Sequence, residues 1–158
     1  MAKGNSKMMK PQQGKSPYIE RNVSKSGYNF MALKTKSDMM REMPIILREF
    51  GNKKISIEEY GGMFLYNQFT EACIEYCEKQ IALLNRFVKG SQAMYNCGWM
   101  DEIDVQMYQK YMVKINMYNR IMSTVQCCKY YKSVAPMQTL QDELFCKYKE
   151  YIQNEVKI

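Results

Sequence analysis

Apolar residues recur at spacings of three and four through residues 101–133. They are Ile103, Met107, Tyr111, Ile115, Tyr118, Met122 and Val125, with no Gly or Pro between them. That period places them along one stripe of a long α-helix. At 1.5 Å per residue the stretch would form a rod roughly 50 Å long. Such a rod is stable only with its apolar stripe against other helices, and two further stretches offer themselves as partners.

The first is residues 56–89. Ser56 with Glu59 three residues later reads as a capping box. Phe69, Cys73, Cys77, Ile81, Leu84 and Val88 then line one face, which Tyr66, Tyr76, Leu83 and Phe87 widen. A face that broad suits burial against more than one helix. Gly61-Gly62 near the start can break the helix or admit a close neighbour, and Gly90 is its expected stop. The second partner is residues 137–156, with Leu140, Leu144, Phe145, Cys146, Tyr148, Tyr151, Ile152 and Val156 on a broad face. Residues 37–50 predict a shorter helix capped by Ser37 and divided or bent at Pro44, clamped across the longer ones by Met39, Met40, Met43, Ile46, Leu47 and Phe50. Residues 53–60 also allow a small strand. Short connections favour antiparallel neighbours.

The fold class expected is therefore all-α. It is an elongated antiparallel bundle of three long helices with a short clamping helix over residues 37–158, and an extended basic arm over residues 1–36. The arm mixes Lys, Gly, Ser, Pro and Gln without a lasting period, which predicts disorder unless it is bound. Tyr18, Ile19, Tyr28 and Phe30 in it are anchors for its own body or a neighbour.

Charge sharpens this division. Lys3, Lys7, Lys10, Lys15, Arg21, Lys25, Lys34 and Lys36 face Glu20 alone in the first 37 residues, which accounts for the whole net charge of +7. A basic arm on a neutral body can follow nucleic acid or an acidic protein surface while the body packs elsewhere. The chain is rich in Met (15) and Tyr (13), a mixture that favours adaptable packing and interface contact. Trp99, the only tryptophan, reads first as a core or bundle-end anchor and otherwise as a partner contact.

The chemistry is sparse. The chain has no histidine, which removes histidine-activated nucleophiles, histidine metal sites and histidine acid–base work together. Neither the Walker A pattern nor G-x-G-x-x-G occurs. Cys73, Cys77, Cys97, Cys127, Cys128 and Cys146 have no zinc-type spacing and read as reduced thiols in an intracellular compartment, mostly as small buried hydrophobes. Asp101, Glu102 and Asp104 sit where a helix start favours negative charge, and Asp142 and Glu143 read the same way. Lys110, Lys114, Arg120, Lys129 and Lys132 read as solvated positions on the central helix.

No catalytic or metal residues and no cofactor are assigned, and no enzymatic activity is expected. No apolar run reaches the roughly 18 residues of a membrane span. These features together predict a non-enzymatic structural component of a large assembly, such as a viral neck, connector or inner capsid. Its partners would be protein subunits, including copies of itself, with nucleic acid contact through the arm. The chain would be intracellular during synthesis and then part of a virion. A small helical nucleic-acid-binding accessory or regulatory protein is the alternative, and an adaptor or inhibitor of a cellular protein is a further one.

Overall fold

The computed structural model describes residues 35–153. The arm, apart from Thr35 and Lys36, lies outside the described residues, as does Val156. Four helices of three or more turns form an elongated all-α bundle: α1 (Lys36–Gly51), α3 (Asn67–Asn96), α4 (Glu102–Tyr131) and α5 (Ala135–Cys146). A single turn, α2 (Ile57–Tyr60), and a 3-10 segment (Gly61–Leu65) lead into α3. The described residues contain no strand, so residues 53–60 do not form the small one considered for them.

The expected helix over residues 56–89 is thus divided at the Gly pair. Two glycines weaken helical continuity, and the tighter turn swings Met63 and Phe64 into the core. The Phe64 ring then sits 5.4 Å from Phe50 and 5.1 Å from Phe69. The side chain of Glu59 lies outside the described residues. Gly90 does not end the helix. An exposed mid-helix Gly costs only about 1 kcal/mol, and α3 continues to Asn96. Its end is instead a Schellman closure: Gly98 at φ +72° donates its N–H to Tyr95, and Trp99 donates to Met94.

The chain returns through α4, which begins where Asp101 accepts the N–H of Asp104 at 2.8 Å. The expected acidic helix start is present there. The register of the α4 stripe is partly different from expectation. Tyr118 and Val125 are buried as expected, joined by Met117, Ile121, Thr124 and Cys128. Tyr111, Ile115 and Met122 pack at the edge of the core, while Ile103 and Met107 are exposed.

Two of the expected helix lengths need correction. Thr35, not Ser37, caps α1, its Oγ1 accepting from Asp38 at 3.1 Å, and the helix runs through Pro44 without interruption. The last helix stops at Cys146 instead of extending to 156. Beyond it the chain turns, so that Tyr148 and Ile152 still reach the core. Ile152 and Leu144 lie so close to Gly51 that a Cβ there would meet them at 3.2 and 3.3 Å. The bundle therefore has two 30-residue helices, not three long ones, and α1 and α5 cover only one half of them. That half holds the core.

Gln141 ties the covered half together from inside. Its Nε2 donates to the carbonyls of Phe50 (3.0 Å) and Ile55 (2.9 Å), the two sides of the turn after α1. Leaving buried carbonyls without a donor costs about 1–3 kcal/mol each. The Phe50 carbonyl keeps the Lys53 N–H at 3.1 Å, so the loss falls chiefly on Ile55, and we expect Gln141→Leu to lower the unfolding free energy by about 1–3 kcal/mol, read from the urea midpoint. Gln92→Leu on the exposed flank of α3 should change it by less than about 0.5 kcal/mol.

Candidate contact surface at the ends of the helical hairpin

From Lys89 to Met107 no residue is buried. This is the tip of the α3–α4 hairpin, beyond the reach of α1 and α5. Counting back along α4 by threes and fours from Val125 through Ile121, Tyr118 and Lys114 leads to Tyr111, Met107 and Ile103. Exposure along that line rises from 7% at Lys114 to 40% at Met107 and 70% at Ile103. The line that faces the core lower down is therefore continued at the tip but uncovered. Met94 on α3 is 48% exposed and Trp99 in the connection 77%. Within the tip the two helices still hold each other, with the rings of Tyr95 and Tyr108 stacked at 4.1 Å and Gln109 donating to the Tyr95 hydroxyl. Three carboxylates, Asp101, Glu102 and Asp104, surround Ile103, and all are exposed.

The other end of α4 carries a second exposed pair. Tyr130 and Tyr131 are 79% and 68% exposed, edge to face at 4.8 Å, between Lys129 and Lys132. Lys132 takes the left-handed conformation that ends the helix. Both ends of the rod thus present apolar or aromatic groups to solvent.

Of the expected site residues, only Lys36 and Trp99 fall within the described residues. Lys3, Lys7, Lys10, Lys15, Arg21, Lys25 and Lys34 lie outside the described residues, as do Tyr18, Ile19, Tyr28 and Phe30. Lys36 stands in the first turn of α1, its ammonium 2.7 Å from Glu75. That hydrogen bond raises the Lys36 pKa and lowers that of Glu75. Trp99 is not the core or bundle-end anchor of the first reading, because the Schellman turn sets it outside the helix pair.

Several charged residues also differ from expectation. Lys114 is buried, not solvated, and burial lowers its pKa with a smaller contribution from Lys110. Arg120 forms a two-pronged ion pair with Glu143 (2.9 and 3.0 Å) and donates to Thr124 Oγ1 at 3.0 Å. Asp142 pairs with Lys53 at 2.9 Å, which lowers the carboxyl pKa. Asp142 and Glu143 are thus late in α5 and serve as cross-links to other segments, not as helix-start charges.

An open groove of about 480 Å³ runs over Asn116, Asn119, Arg120, Ser123 and Tyr148. Its only cation is engaged by Glu143, so the groove offers amides and hydroxyls without an activated nucleophile. Among the described residues no group of three or more His, Cys, Asp or Glu is placed to hold a metal ion. Cys73, Cys77 and Cys128 are buried, Cys127 is half-buried, and Cys97 and Cys146 are exposed. The hydrogen bond with Cys73, together with burial, pushes the Cys77 thiol well up, and burial raises Cys128. No helix of the described residues is long and apolar enough to cross a membrane.

Comparison with protein-family models, with curated proteins and with solved structures finds no match.

Sequence reasoning missed Met94 and the Tyr130–Tyr131 pair. For the pair a signal existed: adjacent helical residues point about 100° apart, so both cannot sit in a narrow core stripe. Thiol labelling checks the burial pattern. An aromatic disulfide reagent in native buffer should modify Cys97 and Cys146 first, while Cys73, Cys77 and Cys128 react only as the bundle opens. Peptide mapping that finds Cys73 modified as fast as Cys97 would contradict it.

Proposed function

We propose that the chain is a non-enzymatic structural component of a larger assembly, packing end-on against neighbouring subunits. The observation that carries this reading is a rod with solvent-facing apolar or aromatic groups at both of its ends. A surface of that kind loses water favourably when a second protein covers it. The two ends differ in charge. Three carboxylates mark the tip and Lys129 with Lys132 marks the opposite end, so unlike ends attract and like ends repel. Contacts between unlike surfaces build rings or filaments, the geometry of a repeated component in a particle.

The basic arm extends the reading. Lys3, Lys7, Lys10 and Lys15 supply a charge-led attraction toward nucleic acid or an acidic neighbour, and this attraction weakens as salt rises. Apolar contacts through the rod ends are less sensitive to salt. A viral neck, connector or inner capsid combines both demands, and we favour that setting.

Light scattering at low and high salt, with and without duplex DNA, tests the proposal. The expected result is a discrete oligomer that needs no DNA and persists at high salt. Tyr130→Ser with Tyr131→Ser should reduce its molar mass toward that of one chain without loss of helicity. A monomer that gains mass only with DNA at low salt would overturn the proposal in favour of a nucleic-acid-binding accessory protein.

A further inference from the structure

We infer that the partner of the hairpin tip is the opposite end, or tail, of a second copy of this chain, with Trp99 and Ile103 of one molecule closing on Tyr130 and Tyr131 of the next. This pairing rests on the end-on reading proposed above and names the occupant of both ends.

The ring contacts Tyr95–Tyr108, Phe87–Tyr111 and Tyr76–Tyr118 fix how α3 runs beside α4. Each step along α4 away from the tip is matched by a step along α3 toward its start. The last turn of α4 therefore stands level with the 3-10 segment that precedes α3, where Leu65 is also exposed. Ile103 and Tyr130 sit at opposite ends of the 30-residue α4, which is about 45 Å long at 1.5 Å per residue. The tip and the tail of one molecule cannot touch, so they meet only between molecules.

The two ends suit each other chemically. The tip offers an indole and two aliphatic or thioether groups, Ile103 and Met94, and the tail offers an edge-to-face tyrosine pair. Aromatic rings pack well against all three kinds of group while their polar edges stay at the wet rim. Charge then selects the orientation. Asp101, Glu102 and Asp104 surround Ile103, and Lys129 and Lys132 flank the tyrosines. Tip on tip sets carboxylates against carboxylates, and tail on tail sets lysines against lysines. Only tip on tail brings opposite charges together.

The helix dipole acts in the same sense. The tip holds the start of α4, capped by Asp101, and the tail holds its end, closed by Lys132 in the left-handed conformation. Tip on tail turns the negative pole of one α4 toward the positive pole of the next. Each chain then has one neighbour at each end, and growth stops only when a ring closes.

The wild-type chain carries its own probe. Cys97 is exposed at the tip, and a short reagent that joins a thiol to an amine can link it to Lys129 or Lys132 only on another copy. In an oligomer mixed from isotope-labelled and unlabelled chains, mass spectrometry should find that link with one peptide from each. Two variants supply a second measurement. Trp99→Ser/Glu102→Lys/Ile103→Lys disables the tip and keeps the Asp101 cap, and Lys129→Glu/Tyr130→Ser/Tyr131→Ser disables the tail. With circular dichroism unchanged, each alone should scatter as one chain of 18.7 kDa and their equal mixture as two, because one intact tip meets one intact tail and growth then stops. A wild-type oligomer whose Cys97 links only to Lys89 or Lys110 of another copy, or a tail variant that still pairs with itself, would assign tip to tip and overturn the inference. A mixture that stays at one chain while the wild type assembles would overturn it too. These results leave the assembly reading standing, whereas a wild-type chain that is monomeric at every salt concentration overturns both.

Discussion

Burial along the line between α3 and α4 is the constraint on which the rest of the structure depends. Two 30-residue helices cannot hold themselves in water by propensity alone. Here Phe69, Cys73, Cys77 and Leu84 meet Met117, Tyr118, Ile121 and Val125 across an antiparallel hairpin. The Tyr76 and Tyr118 rings cross edge to face at 6.2 Å on the same surface. Such contacts are individually small, and a fully buried Leu or Met side chain still contributes roughly 1.5–3 kcal/mol. α1 and α5 then close the two open sides of the lower half. Their registration is set by specific contacts: the Gln141 amide on the carbonyls after α1, the Arg120–Glu143 fork between α4 and α5, and the close approach of Ile152 to Gly51.

Length mismatch turns this fold into a surface. The covering helices have 16 and 12 residues against 30 in each arm of the hairpin, so they end before the hairpin does. The same heptad-like line that is dry at Ile121 is wet at Ile103. Fold class by itself implies no function. The groove beside Arg120 lacks an activated group, and the perturbed thiols are buried and raised, which makes them less nucleophilic. The exposed ends are the features whose burial in a partner would release the most water.

Much of the fold was legible in the chain because its signals are local. The period of three and four found α3, α4 and α1. Asp101 announced the start of α4. What escaped depends on tertiary context. Gly90 reads as a stop, but an exposed Gly within a long paired helix is tolerated when the flanking turns are held by the neighbour. Residues 147–156 read as helix by composition, yet the chain gains more by turning Ile152 back onto Gly51. That misreading of length also hid the site. A 20-residue final helix would have covered more of the hairpin than one that stops at Cys146. Lys114 was read as solvated because its charge outweighs its position, although it falls on the buried line between Tyr111 and Tyr118.

Hydrogen exchange followed by mass spectrometry tests the central claim most directly, since local opening energies report which elements hold the others. The slowest amides should lie in residues 72–88 of α3 and 114–128 of α4. α1 and α5 should exchange no more slowly than that pair, and the tip should exchange fastest of the two long helices. Protection in α1 or α5 that outlasts the opening of residues 114–128 would show that the hairpin line is not what the structure depends on.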